Sequence, residues 1–366
     1  MDPGAGYRAL QPEIDAAVAR VLKSGWYILG QEVAGFEAEY AAALGVGHAV
    51  GVGNGTDALI LALRALGIGP GNRVATVSHT AVATVAAIEL VGAEAVLVDI
   101  EKVSCTMDPA ALTRCFDAIA GIEAVIPVHL YGQAADLLPI LEIAGRHGAR
   151  VIEDCAQSQG ATLDGRPLGS FGDIACFSFY PTKNLGAFGD GGAVTTMDAA
   201  LAARLRSLRE YGWKDRYVSA ETGMNSRLDE LQAAILRVRL PHLAKDNARR
   251  QAIAAAYEDG FQGLPLERPQ SRPGATHVWH QYVVRSARRD ALQQALKARG
   301  IGTNIHYPVP VHLQPAYAGR LPIGPGGLPE TEQAAREVLS LPMYPQLDDA
   351  AVARVIAAVR AALGAN

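Results

Sequence analysis

Between residues 50 and 200 the chain alternates short apolar runs with stretches of helical period, and no other property limits its fold so strongly. The apolar runs lie at 74–77, 95–99, 124–128, 151–154 and 174–179, and helical patterns at 57–66, 83–90 and 137–147 fall between them. Strand, helix and strand at this spacing predict βαβ units and a mostly parallel sheet covered on both faces. In such sheets ligands collect beyond the carboxyl ends of the strands, so residues just after each apolar run are the first candidates for function.

The pattern changes further along. Residues 226–260 read as one long helical region in which Pro241 predicts a kink or break. A smaller mixed segment follows, with a strand at 280–284 and helices at 289–299 and 350–363. The expected organisation is a large domain over 1–245 and a small C-terminal α/β domain over 246–366.

Composition closes several classes. At 366 residues, 49% hydrophobic and a formal charge of −4, the chain has ample core for two domains and lacks the basic field that non-specific nucleic-acid binding requires. No apolar stretch reaches the ~20 residues of a membrane span, and the N-terminus has no signal-peptide layout. Cys105, Cys115, Cys155 and Cys176 form no metal-ligand spacing, and reduced thiols in apolar runs suit a reducing cytoplasm. The expectations are a cytoplasmic protein with neither metal, nucleic acid nor membrane as partner.

Three segments carry chemistry. Asp154 ends the apolar run VIED, where a carboxylate is placed to keep a pyridinium nitrogen protonated, or equally to cap a following helix. Lys183, in SFYPTKNLG before the glycine cluster GDGG, sits among desolvating neighbours that make a lysine amine nucleophilic; a solvated loop lysine is the commoner alternative. Ser178 offers a hydroxyl to a phosphate. In GNGTD, Gly55 and Thr56 open the helix at 57–66 and form a plausible anion cup, although an Asn-Gly turn before a helix is common. The cup lacks the P-loop lysine and the dinucleotide glycine fingerprint, which disfavours ATP and NAD.

With these segments the stretches SGWYILGQEVAGFE, GVGNGTDAL, VHLYGQAADL, VIEDCAQSQGA, FSFYPTKNLGAFGDGG, NSRLDELQAAIL and HYPVPVHLQPAYAG resemble the DegT/DnrJ/EryC1/StrS family of sugar aminotransferases, over roughly residues 24 to 318. The resemblance implies the fold-type-I α/β architecture, with a seven-stranded, mostly parallel sheet and a smaller C-terminal domain. It implies pyridoxal 5'-phosphate as cofactor, passing through the pyridoxamine form. Lys183 would form the Schiff base and shuttle the proton, Asp154 would pair with the ring nitrogen, and Gln157 would lie by the phenolic oxygen. Gly55, Thr56 and Ser178 would hold the phosphate, and Asn225 would reach the phosphate of a neighbouring subunit, giving a homodimer with shared active sites. The expected donor is L-glutamate and the acceptor a nucleotide-linked keto-sugar, best matched by a dTDP-3-keto-6-deoxyhexose aminated at C3. The same frame serves 4-keto-sugars on dTDP, UDP or GDP, and a regulatory homologue without turnover is the other alternative. Related dehydratases carry histidine at the position of Lys183.

Substrate ligands are read less directly. Arg227 is a diphosphate candidate because guanidinium pairs bidentately with phosphate oxygens, or an ordinary helix-start arginine. Trp26 and Tyr27 are pocket or core candidates. His306, Tyr307 and His312 stand on a Pro-stiffened loop that resembles the one closing over the sugar in the family. One position departs from the pattern: Ala81, in SHTAVA, stands where the family has an aromatic residue stacked on the cofactor ring.

Overall fold

The structure, a computed structural model, describes residues 3–364. Its centre is a seven-stranded sheet, numbered here in chain order as β1 (His48–Val52), β2 (Arg73–Val77), β3 (Glu94–Val98), β4 (Ile122–Ile126), β5 (Arg150–Asp154), β6 (Ile174–Ser178) and β7 (Gly192–Thr196). The spatial order is β1-β7-β6-β5-β4-β2-β3. β2 pairs in parallel with β3 and β4, β4 with β5, and β5 with β6. β7 alone runs antiparallel to both of its neighbours, β1 and β6.

The strands are apolar almost throughout because both faces are covered. Along β6, Ile174 and Cys176 join the core shared with the helices Gly55–Ala65 and Val82–Leu90, while Ala175 and Phe177 join the opposite core under the helix Gln31–Leu44. The five strands expected from sequence are all present. β1 and β7 were not anticipated, since HAVGV and GAVTT each carry a glycine and do not stand out as apolar runs.

The antiparallel return from β6 to β7 matters for function. A parallel neighbour would need a crossover helix, whereas an antiparallel one is reached by a loop that stays at one end of the sheet. Residues 179–191 are that loop, and they hold Lys183 beside the carboxyl ends of β5 and β6.

The expected break at Pro241 is a 3-10 turn, Leu240–His242, between the helices Glu230–Arg239 and Leu243–Gly260. Beyond it, strands Tyr282–Arg285 and Val338–Leu341 pair antiparallel. They build a separate core with Tyr257, Phe261, Leu296 and Val359, drawn from helices Leu243–Gly260, Arg289–Ala298 and Asp349–Leu363 and the turn after the first. Among the described residues no helix is long and apolar enough to cross a membrane.

Candidate active site

A cavity of about 600 Å³ opens beyond the carboxyl ends of the central strands. Gly55, Thr56, Asp154, Gln157, Ser178, Lys183, His306 and Tyr307 all line it, so eight side chains or backbones singled out in the sequence meet in one place. Ala81, His280 and Tyr180 complete much of the wall.

Asp154 is the last residue of β5 and is 5% exposed. Its Oδ1 accepts the Ala156 N–H at 3.1 Å and its Oδ2 accepts the Thr84 hydroxyl at 2.9 Å. Burial pushes the carboxyl above its ordinary value, while those two hydrogen bonds and the charge of Lys183 pull the other way. Each oxygen keeps a lone pair for one more donor.

Lys183 lies in the β6–β7 loop, its backbone N–H donating to the Tyr180 carbonyl at 2.8 Å. Burial lowers its ammonium to about 8, with Asp154 opposing the shift. No hydrogen bond of its Nζ occurs among the described residues. The amine is therefore easily deprotonated and free to react.

The phosphate end is equally local. Asn54 caps the helix Gly55–Ala65 by accepting the Asp57 N–H at 2.9 Å, which aims the helix N-terminus at the cavity. A Cβ on Gly55 would stand 2.7 Å from Ser178 Cβ, so only glycine lets the helix start approach β6 so closely. Helix terminus, Thr56 and Ser178 make an anion cradle, Asp154 supplies the acceptor for a protonated ring nitrogen, and Lys183 supplies a free amine. These residues fit pyridoxal phosphate.

Gln157 joins two segments of the wall. Its Oε1 accepts the Tyr131 N–H at 2.7 Å and its Nε2 donates to the Tyr307 hydroxyl at 3.1 Å, leaving one N–H for a ligand. Tyr131 in turn donates its hydroxyl to the His306 carbonyl and meets His79 Nε2 at 2.7 Å. Burial holds Tyr307 at about 12, so its phenol stays protonated near neutral pH.

Five candidates lie elsewhere. Trp26 and Tyr27 are 65% and 49% exposed, Asn225 is exposed, and Arg227 is half-buried; none of the four lines the cavity. His312 is buried beneath the loop, where its Nδ1 meets Ser78 Oγ at 2.8 Å and its Nε2 lies 3.4 Å from Glu332. The sequence reading missed Thr84, Tyr131 and His280, whose roles arise from contacts with residues far along the chain.

A second buried group, His129, Glu153 and Cys155, brings metal-ligand atom types together. The Ala135 N–H donates to His129 Nδ1 at 3.0 Å, so the proton of the neutral ring is on Nε2, facing Glu153 at 3.1 Å. Glu153 also accepts the N–H groups of Gly169, Phe171 and Gly172. The ring has no lone pair left for a metal, and the group acts as a brace for the residue next to Asp154.

Comparison with known proteins agrees with this geometry. A sequence model of the DegT/DnrJ/EryC1/StrS aminotransferase family matches residues 8–360. The chain is 52% identical to the dTDP-3-amino-3,4,6-trideoxy-alpha-D-glucose transaminase of Streptomyces venezuelae, over 98% of this chain and 94% of that protein. It is 44% identical to a UDP-N-acetyl-3-dehydro-alpha-D-glucosamine 3-aminotransferase of Acidithiobacillus ferrooxidans, over 99% of this chain and 97% of the other. Among solved structures, S. venezuelae DesV in complex with a ketimine intermediate superposes with a TM-score of 0.95 at 52% identity, covering 98% of this chain and 96% of that one.

Proposed function

The chain belongs to the DegT/DnrJ/EryC1/StrS aminotransferase family, and from that premise we propose that it moves an amino group from L-glutamate to the C3 keto group of a dTDP-linked 3-keto-6-deoxyhexose. It is an aminotransferase of the nucleotide-sugar type. The observation that carries the finer reading is the 52% identity along nearly the whole chain to a dTDP-3-amino-sugar transaminase, joined to a free Lys183 amine in the same cavity as Asp154.

Pyridoxal phosphate, when bound, supplies the carbonyl that receives the amino group and the ring that draws off an electron pair. The chain's residues do the rest. The helix N-terminus, Thr56 and Ser178 bind the phosphate. Asp154 keeps a negative charge beside the ring nitrogen, held by Thr84 and Ala156. Lys183 Nζ takes a proton from the substrate carbon and returns it on the cofactor side, a role suited to an amine held at about 8. Tyr307 and His306, on the loop tied down by Gln157 and Tyr131, keep water from that face.

We assign the homodimer on the same reading. Asn225 is exposed and outside its own chain's cavity, which suits a residue that serves the phosphate site of a second copy. Arg227, Trp26 and Tyr27 are assigned to the nucleotide and sugar at that shared boundary. Residues 1–245 then form the cofactor-holding unit and 246–366 the wall that closes it. The four free cysteines are buried, in keeping with the cytoplasm as its place of work.

The 44% identity to a UDP-sugar aminotransferase supports a second reading, C3 amination of a UDP-sugar. The holoenzyme, L-glutamate and a panel of dTDP-, UDP- and GDP-linked 3- and 4-keto-sugars, followed by mass detection, separates the readings. An aminated dTDP-3-keto product is expected. Preference for a UDP-sugar would select the second reading, and no aminated product from any of them would overturn both.

A further inference from the structure

Asp154 has to carry its charge in a setting that opposes it, and two threonines bear on how it does so. Burial pushes the carboxyl up. Oδ1 accepts the Ala156 N–H at 3.1 Å, and Oδ2 accepts the Thr84 hydroxyl at 2.9 Å. A threonine has one hydroxyl hydrogen. With that of Thr84 given to the carboxylate, the 3.1 Å contact between Thr84 Oγ1 and Thr80 Oγ1 must be donated by Thr80. The hydrogen bonds therefore run in one direction, from Thr80 to Thr84 to Asp154.

The chain places this relay by local geometry. Ala81 is the N-cap of the helix Val82–Leu90, and the Thr84 N–H donates to its carbonyl at 3.2 Å. Thr80 and Thr84 thus stand four residues apart across the first turn, where side chains lie on one face. Both are buried, Thr84 completely. Thr84 lines the active-site cavity and Thr80 does not.

The relay favours the ionised carboxylate. A protonated Asp154 could reverse both hydroxyl bonds, but a hydrogen bond to a charged acceptor is about twice as strong as a neutral one, and the Ala156 N–H can only donate. Each hydroxyl in such a row also polarises the next. The other titratable groups facing Asp154 are Lys183 and His129, which favour its charge, and Tyr307, Cys155 and Cys176, which burial keeps protonated and neutral.

We propose that Thr80 and Thr84 form a hydroxyl relay that keeps Asp154 ionised, so that it can hold the cofactor's ring nitrogen protonated. Thr84 is the direct donor, and Thr80 is a positioning residue behind it, outside the cavity. The role deepens the aminotransferase reading and rests on its placing of pyridoxal phosphate in this site.

The test uses the full chain loaded with pyridoxal phosphate carrying labelled nitrogen in its ring, whose NMR shift reports ring protonation across a pH series. Thr84→Val removes the donor and keeps the branched shape, while Thr84→Ser keeps the hydroxyl. In the first the ring nitrogen is expected to lose its proton about one pH unit lower than in wild type, the worth of one hydrogen bond to a charged group. The serine variant is expected to stay near wild type, and Thr80→Val to move in the same direction by less than half as much. The rate of the glutamate half-reaction should fall about tenfold in Thr84→Val and about threefold in Thr80→Val, with KM for glutamate unchanged. Ring titration unmoved in both valine variants would overturn the proposal, as would a serine variant displaced as far as Thr84→Val, since packing would then be the cause. If Thr84→Val fails to fold or to hold the cofactor, Thr80→Val decides alone by the same readout. Failure of the wild-type protein to convert with glutamate would count against the aminotransferase reading instead, because the ring titration needs no turnover.

Discussion

Gly55 and Ser178 approach so closely that a Cβ on the glycine would sit 2.7 Å from the serine's Cβ. The contact brings the N-terminus of the helix Gly55–Ala65 against the end of β6, and the two together form the anion cradle. Gly55→Ala must push one of them aside. Overpacking of this kind costs about 1–3 kcal/mol, and here the strain falls on the phosphate site. We expect cofactor affinity to drop about tenfold or more, the equivalent of ~1.4 kcal/mol, with the far-ultraviolet circular dichroism unchanged. Titration of cofactor-free protein with pyridoxal phosphate measures it, and wild-type affinity in the variant would remove this cradle from the site.

Lys183 gives a pH signature. Its folded value, about 8, lies below its ordinary 10.5. Covalent capture of pyridoxal phosphate by the cofactor-free protein needs the neutral amine, so the rate should rise about tenfold per pH unit below that value and level off above it. The sign for stability agrees. Between about 8 and 10.5 the unfolded chain binds more protons at this lysine than the folded one, so its penalty on folding fades as pH rises through that window. Stopped-flow absorbance at a series of pH values reads the first effect. Lys183→Arg, which stays charged, should form no borohydride-reducible adduct at any of them.

The Tyr131 hydroxyl tests how the wall is held. It donates to the His306 carbonyl and accepts from His79, so Tyr131→Phe leaves both without that partner in a buried setting. A net loss of about 1 kcal/mol in holding the loop is expected, which is about fivefold in KM for the keto-sugar. The glutamate half-reaction should change less. A variant with unaltered KM for the sugar would show that the loop is held without this bond.

Much of the site was legible because strand ends are legible. Asp154 and Lys183 follow apolar runs, and the sheet type sends such residues to one place. Ser178 lies in such a run, whereas Gly55 and Thr56 were found from the glycine-bearing turn that opens a helix. Thr84, Tyr131 and His280 were not, because each owes its role to a contact across tens to hundreds of residues: Thr84 with Asp154, Tyr131 with His306, His280 with Asn184. No local pattern marks those pairs. His312 illustrates the converse, since a histidine two prolines away from His306 on the same loop turns inward onto Ser78 instead of into the cavity. Strands β1 and β7 escaped notice for a compositional reason: their burial is complete or nearly so, yet each carries a glycine, a residue depleted in strands.

Glu230 is another such long-range contact, and it gives the largest expected effect on stability. The residue is 3% exposed, and its carboxylate caps a helix that begins two hundred residues earlier. Oε1 accepts the N–H groups of Gly30 and Val33, both at 2.8 Å, and Oε2 accepts that of Glu32 at 3.0 Å. These are orphan donors at the start of the helix Gln31–Leu44, where a negative charge is also favoured by the helix dipole. Glu230→Ala strands three buried or half-buried donors at once. Unpaired buried donors cost about 1–3 kcal/mol each when water cannot reach them, and with Gly30 partly hydrated the two buried donors, Glu32 and Val33, set an expected total of roughly 2–6 kcal/mol. Glu230→Gln should fall between, because its amide keeps one acceptor oxygen and turns an N–H group toward another N–H. Urea unfolding of the three proteins at matched cofactor saturation measures the order, and an alanine variant as stable as wild type would mean that the helix start is held by its packing alone.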